Sequence, residues 1–348
     1  MKKIGMMFLV YLLTAHMALA VKVGALYQGA IPATSQSAAE RDQLARDALA
    51  QVFVKVSGNN NILNNAKVKE QLNSASSLMQ EFSYIPAPKI PGNTKPYFLQ
   101  LDFDADGINK ILRDAGAPIW GQNRPLLLVW LEYEVPHKPA EIISADSGSN
   151  LPILLKQNTD RRGLPVIFPA MDVEDLGQVS VNDIVMANLP KLLNAAKRYS
   201  SDAILIGRIT QDVNGYNTQW KLIMGNDQWG WNITGKTIPD VLAAMADHVA
   251  DTLAGRYATV ITNSVQSRLT LKIINVSEAD DFVQVMNYIK HLTPVSDVEL
   301  VQISGSEMIL KVNLRGTQDS FSQALSVGQK LTPVTTDDKQ PVLVYQWN

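Results

Sequence analysis

The stretch from Ser180 to Asn263 constrains the fold of this chain more than any other part of the sequence. It begins with the Ser-x-x-Asp spacing of Ser180 and Asp183, in which each side chain bonds a free backbone N–H of a helix's first turn. Turn residues then separate three short segments, and a helical pattern from Ile238 to Tyr257 follows. The stretch therefore predicts a helix, a three-stranded meander and a second helix around one core.

Each of the three central segments has a strand pattern of its own. Ala203–Thr210 is short, apolar and rich in β-branched residues, which is typical of a buried strand. Thr218–Met224 alternates in polarity after an Asn-Gly turn. Gln228–Thr234 also alternates, so it places Trp229 and Trp231 on one face of the sheet.

The patterns on either side of this stretch predict an α+β protein of three small modules. A chain of 348 residues usually divides, because single cores stop growing at roughly 250–300 residues. We expect an N-terminal α+β module at 21–118 and a central domain at 119–263, with helices packed on a mixed or antiparallel sheet of about five strands. Residues 264–348 have the strand-helix-strand-strand-helix-strand order of a ferredoxin-like module.

The first 20 residues have the features of a secretory signal peptide. Lys2 and Lys3 precede an apolar run from Ile4 to Leu13, and Ala18-Leu-Ala20 is a small-x-small site that predicts cleavage after Ala20. An uncleaved anchor helix is the alternative, but the run is short for a span of about 20 residues. We therefore expect a periplasmic protein that is not integral to the membrane after cleavage, with secretion from the cell as the open alternative.

Composition narrows the classes of function. Removing the two signal-peptide lysines from the 31 basic residues leaves 29 against 33 acidic residues, a formal charge of −4. No basic patch is dense enough to predict binding to nucleic acid or to an anionic membrane. The chain has no cysteine, which excludes disulfides, zinc-thiolate sites, thiol nucleophiles and a lipid on an N-terminal cysteine.

One acidic segment resembles the opening of a calcium loop. Asp102, Asp104 and Asp106 supply oxygen ligands at alternate positions, and a glycine follows them. The twelfth position of such a loop should be a bidentate glutamate, and here it is Arg113. The competing interpretation is that these carboxylates cap a helix and complement its dipole.

Other motifs of chemistry are absent from the sequence. The histidines lack metal-ligand spacing, and there is no nucleophile elbow, Walker loop or Gly-x-Gly-x-x-Gly segment. We therefore predict no catalytic residue and no cofactor. Trp220, Trp229 and Trp231 are the aromatic group that suggests binding, since on an exposed sheet face they would hold a glycan or a partner's strand. The alternative is that they fill the space between sheet and helix.

Two resemblances add to these patterns. Arg46–Asn59 resembles the opening signature of a proteobacterial exported family, domain of unknown function 2066, and Pro125–Leu131, Tyr199–Gly207 and Trp220–Leu222 resemble the middle of that family. This resemblance implies no activity. The central helix, the Ala-Ile-Leu-Ile-Gly strand and the meander are also similar to the small α/β domain of TolB-like and CsgG-like envelope proteins, which implies docking to other envelope proteins.

Together these features predict an exported, envelope-associated interaction or scaffold protein without catalysis, whose partner is another envelope protein. The competing hypothesis is a periplasmic hydrolase or binding protein that acts on cell-wall or other glycans. A deep cleft with convergent, pKa-shifted acids would favour the hydrolase. A flat face or an exposed sheet edge would favour the scaffold. The sequence does not indicate the oligomeric state.

Overall fold

The computed structural model describes residues 24–90, 93–262, 264–265, 267–328, 330–334 and 342–348. These residues form an α+β fold, as the sequence predicts. The predicted signal peptide and its cleavage site at Ala20 lie outside the described residues. No helix within the described ranges combines the length and the apolar character needed to cross a bilayer.

The N-terminal part is a three-stranded antiparallel sheet covered by helices. Its elements are β1 (Gln28–Ala33), α1 (Ala38–Ser57), α2 (Ala66–Leu72), β2 (Met79–Pro86), β3 (Tyr97–Phe103) and α3 (Ala105–Asp114), with single 3-10 turns at Asn60–Asn64 and Ala75–Ser77. The sheet order is β1-β3-β2. The Ser37 hydroxyl accepts the backbone N–H of Glu40 at the start of α1, and Gly58 ends α1 with φ at 72°. Local capping at Ser37 and at Gly58 therefore defines both ends of α1.

The central part is built on a six-stranded mixed sheet. Its elements are β4 (Pro118–Ile119), β5 (Leu127–Glu134), β6 (Glu141–Ile143), α4 (Leu151–Arg162), β7 (Val166–Ile167), α5 (Val173–Gln178), α6 (Val181–Val185), α7 (Leu189–Ala196), β8 (Ala203–Asp212), β9 (Gly215–Met224), β10 (Asp227–Gly235), α8 (Ile238–Tyr257) and β11 (Thr259–Val260), with a 3-10 turn at Lys197–Tyr199. Strands β10, β9 and β8 form the predicted meander, and β8 runs parallel to β5. The sheet has one strand more than the five expected, and the short strand β6 pairs with β5 at one edge.

Helices cover both faces of the central sheet. Leu127, Val129 and Leu131 of β5 contribute to a core that includes residues of α4 and α8. Leu128 and Trp130 contribute to the core on the other face, under α6 and α7. Because successive side chains of a strand point to opposite faces, burial on both faces explains why this segment is apolar throughout rather than alternating.

The C-terminal part has a five-stranded sheet with its own core. Its elements are β12 (Ser267–Ile274), α9 (Ala279–Lys290), β13 (Val295–Ser304), β14 (Glu307–Leu314), α10 (Gln318–Leu325), β15 (Leu331–Pro333) and β16 (Val342–Trp347). Strands β13, β14 and β12 have the ferredoxin-like order. The final strand β16 instead runs parallel to β12 and separates it from β15. This inner position buries Tyr345 and Trp347 in the core.

One buried cation, Arg124, connects the N-terminal and central parts. Arg124 is 1% exposed, and its guanidinium lies 4.0 Å from the centre of the Trp120 ring. Its nitrogens donate five hydrogen bonds of 2.7–3.1 Å, all to backbone carbonyls: those of Lys55, Trp120, Gly121, Arg162 and Gly163. Since these carbonyls belong to α1, to the segment before β5 and to the end of α4, one side chain holds three segments together.

Candidate interaction edge of the central sheet

The three aspartates of the suggested calcium loop do not converge on one point. The Asp104 carboxylate accepts the backbone N–H groups of Asp106 at 3.2 Å and of Gly107 at 3.1 Å, so it caps α3. Both carboxylate oxygens of Asp102 accept the side-chain amide of Gln28 at 3.1 Å. No group of three or more metal-ligating side chains occurs in the part of the chain that the structure describes. Helix capping therefore accounts for this segment.

The three tryptophans share one face of the central sheet but differ in exposure. Trp220 on β9 is 3% exposed and lies in the core beneath α8. Its indole Nε1 donates to the Thr218 hydroxyl at 2.9 Å, and that hydroxyl donates to the Ile233 carbonyl at 3.0 Å. Trp220 therefore does not belong to the predicted interaction surface, because the neighbouring strands and α8 cover it.

Trp229 and Trp231 lie on β10 at the edge of the same sheet. Both are partly buried and pack against the core. The Trp231 ring stacks on the exposed imidazole of His248, with ring centres 5.8 Å apart and an interplanar angle of 19°. These two tryptophans therefore form an aromatic border along the α8 side of the edge.

The backbone of β10 presents hydrogen-bonding groups to solvent. A two-residue turn joins β9 to β10, so that Met224 and Asp227 form the closing pair of the hairpin. In such a hairpin the closing residues exchange backbone hydrogen bonds, and bonded and non-bonded positions then alternate. The N–H and C=O groups that point away from β9 therefore belong to every second residue: Gln228, Gly230, Asn232 and Thr234. The side chains of the three non-glycine residues among them are exposed as well.

The long edge strands of the other sheets are protected against pairing. On β1, the Gln51 side chain accepts the Ala30 N–H at 2.7 Å, and Lys55 Nζ donates to the Gln28 carbonyl at 2.8 Å. Register shifts interrupt β13 at Val295/Asp297 and at Leu300/Gln302, and another interrupts β2 at its first residues. Bulges and side-chain caps of this kind disfavour the addition of a further strand.

Strand β10 lacks such protection. It has nine residues, pairs with β9 in one unbroken register, and contains neither proline nor lysine. The remaining edge strands within the described residues, β4, β6, β7, β11 and β15, have three residues or fewer. A long, regular, unguarded edge is a template for pairing with another chain.

The β10 strand itself carries no charge along most of its length. Asp227 at its start is paired with Arg256, and the residues from Gln228 to Gly235 carry no charge. On the face opposite the tryptophans lies a groove of about 460 Å³, whose lining includes Met186, Lys221 and Asn232. The edge therefore has an aromatic border on one face and a mostly polar groove on the other.

Comparison with solved structures gives weak similarities. TolB from Acinetobacter baumannii is 11% identical, with 56% of this chain and 37% of TolB covered and a TM-score of 0.20. The match thus spans little more than a third of TolB. A selenomethionine-substituted allophanate hydrolase from Kluyveromyces lactis is 9% identical, with 79% and 67% covered and a TM-score of 0.16. TM-scores this low decide neither fold nor function.

Comparison with sequences and families adds one match. No curated protein matches this chain. The resemblance to domain of unknown function 2066 is not confirmed and stays a prediction. Residues 20–121, which include the Arg46–Asn59 segment that suggested it, match the family model of a domain of unknown function, DUF8605.

Proposed function

We propose that this protein is a non-catalytic interaction protein of the cell envelope, which binds an extended segment of another envelope protein along β10. The unguarded nine-residue edge of the central sheet is the observation that supports the proposal. The partner segment adds as a further strand, and its backbone bonds the outward groups of Gln228, Gly230, Asn232 and Thr234. These main-chain bonds give affinity, and side-chain contacts give specificity.

The chemistry of the edge defines the partner segment. Alternate side chains of an added strand lie on the α8 face, next to Trp229, Trp231 and His248. Apolar side chains suit that position, because aromatic rings offer large contact area at little cost in conformational entropy. The uncharged stretch of β10 favours a partner without charge at the centre of the segment. The expected partner is therefore an extended, alternating apolar and polar segment.

The two acids of the central part whose pKa is raised do not form the carboxylate pair that the competing hydrolase would need. Burial raises the pKa of both Glu132 and Asp202. Glu132 is buried in the sheet beside Arg208, 3.2 Å from its Nε, and Asp202 accepts the backbone N–H of Leu126 at 2.8 Å and of Gly328 at 2.9 Å. In the register of β5 and β8, Leu127 pairs with Ala203 and Glu132 pairs with Arg208. Asp202 comes directly before Ala203, so it lies six strand positions from the residue that pairs with Glu132. Six positions span about 20 Å, whereas a glycosidase pair needs about 5–10 Å.

Proline at Asn232 is expected to abolish partner binding and leave the fold intact. Proline removes the outward N–H and blocks an added strand, and it breaks no bond to β9 because that N–H faces solvent. Benzoylphenylalanine at Gln228 would be used to photocrosslink the protein in intact cells, with partners identified by mass spectrometry. We expect one partner to crosslink to the protein that carries only the photocrosslinker. The same crosslink should be absent when Asn232→Pro is added.

The matched control is Asn232→Ala, which removes the side chain and keeps the backbone N–H. The partner should crosslink to this variant as before, and circular dichroism should show that both variants are folded. A partner that still crosslinks to the proline variant would contradict strand addition, as would the absence of any crosslinked protein. Equal loss in both variants would assign recognition to the asparagine side chain instead.

Export is the second part of the proposal. The charged start, the short apolar run and the Ala18-Leu-Ala20 site support a signal peptide. We expect the protein isolated from its cell envelope to begin at Val21, as measured by mass spectrometry of its N-terminal peptide. An intact chain that begins at Met1 in the membrane fraction would support the anchor helix instead.

A further inference from the structure

A second site lies between the N-terminal sheet and the central part, away from the β10 edge. It is a cleft of about 600 Å³. Its apolar lining includes Ile85 on β2 and Phe98 on β3 from the N-terminal sheet, and Val166 and Ile167 on β7 from the central part. Its volume falls within the roughly 300–1,000 Å³ of clefts that hold small organic molecules. The lining surface is mainly apolar, and eight polar or charged side chains also contribute to it.

The charged side chains of this cleft are mostly cationic. Lys55, Lys156 and Arg161 line it with one acid, Asp160. Lys156 Nζ lies 3.1 Å from the Asp160 carboxylate, and Arg161 lies 2.7 Å from Asp247. Two of the three cations therefore have a carboxylate partner.

Lys55 is the third cation of the cleft, and it forms no ion pair with any residue that the structure describes. It is 4% exposed, and its Nζ donates to the carbonyls of Ala25 at 3.1 Å and Gln28 at 2.8 Å. An ammonium group has three donors, so one remains beside the cleft. Burial, reinforced by the nearby Arg124 cation, lowers the pKa of Lys55 to about 8. A buried charge without a counter-ion is unfavourable, and an anion in the cleft would relieve that cost.

A second donor lies in the same cleft. The Gln100 carbonyl oxygen accepts the Ser83 hydroxyl at 3.3 Å, and its amide nitrogen is available to a ligand. An anion between Lys55 and Gln100 would receive one charged and one neutral hydrogen bond. The apolar walls beside these donors then require that the rest of the ligand be apolar.

We infer that this cleft binds a small amphipathic carboxylate, with its anionic head at Lys55 and Gln100 and its apolar chain between Ile85, Phe98 and Ile167. A monocarboxylate with a chain of medium length has this chemistry. The site is independent of the proposed strand addition, because it shares no residue with β10. Loss of either activity can therefore be observed without the other.

Octanoate is the probe for this site, measured by isothermal titration calorimetry on the chain that begins at Val21. We expect saturable binding of octanoate and none of octanol, which has the same chain without the charge. Ile85→Glu should weaken octanoate binding at least about tenfold, because it places a charged group against the ligand's apolar chain and adds a negative charge to a cleft that binds an anion. Ile85 is 40% exposed, so the fold should tolerate the change.

The matched control is Phe82→Glu on the same strand. Phe82 is 48% exposed and is not part of the cleft lining, so this variant has the same net charge as Ile85→Glu and should bind octanoate normally. Lys55→Met should also abolish binding. Equal binding of octanol and octanoate, equal loss in the two glutamate variants, or no heat at about 10 mM octanoate would each overturn the inference.

Discussion

Replacing Arg124 by methionine is expected to lower the free energy of unfolding by about 4 kcal/mol. The loss follows from the five backbone carbonyls that the guanidinium bonds, none of which finds a replacement donor in methionine. Each buried acceptor left without a partner costs about 1–3 kcal/mol, and partial rearrangement reduces the total. Urea denaturation followed by tryptophan fluorescence would measure the change.

Lysine at the same position separates charge from geometry. Arg124→Lys retains the cation but has no planar fork of five donors, so it should recover little of the lost stability. Arg46→Met is the control, since Arg46 is exposed on α1 and its replacement should change stability by no more than about 0.5 kcal/mol. If the two methionine variants unfold at the same urea midpoint, the bonds from Arg124 to the five carbonyls do not hold the junction together.

Features that depend on neighbouring residues follow from the sequence. The capping box of Ser180 and Asp183 is present, with both reciprocal bonds formed. Helix α8 has the predicted bounds, and the meander has its three strands where turns and alternation place them. Caps, turns and periodicity operate over a few residues, so a single sequence contains the necessary information.

Features that depend on distant pairing do not follow from the sequence. β16 is inserted between β12 and β15, because burial of Tyr345 and Trp347 favours an inner position, and no local pattern contains that preference. Arg124 has ordinary surroundings in the sequence, yet its carbonyl partners lie up to 69 positions away. A polar residue gains such a role only when the segments around it are packed.

The candidate edge combines both kinds of information. Alternation correctly predicts that Trp229 and Trp231 share a face. It does not reveal that β10 is the last strand of its sheet, nor that Trp220 one strand further in is covered. Sheet order decides both points, and sheet order results from the parallel pairing of β8 with β5, more than 70 residues apart in the chain. The available signal in the sequence was the absence of proline and lysine from Gln228–Thr234.

Replacing Gly207 by alanine is expected to lower the free energy of unfolding by about 3 kcal/mol. A Cβ at this position of β8 would lie 2.3, 2.7 and 2.8 Å from three carbons of the Trp220 ring. The ring has little freedom to move, because its Nε1 is bonded to Thr218 and α8 covers it. Urea denaturation would measure the loss, and Gly255→Ala is the control. Gly255 lies in α8 with no atom within 4 Å of an added Cβ, so its replacement should raise stability by about 0.5–1 kcal/mol.

A double variant tests whether the ring itself causes the loss. Trp220→Leu alone should cost about 3 kcal/mol by leaving a cavity, and adding Gly207→Ala should cost no more than about 0.5 kcal/mol further, because the clash is gone. Two losses that simply add would show that alanine disturbs the strand in another way.

Because Trp220 pairs with Trp231 across β9 and β10, the contact with Gly207 also sets the position of the edge strand. Gly207→Ala at a temperature where it stays folded should therefore weaken partner binding, whereas Gly255→Ala should not.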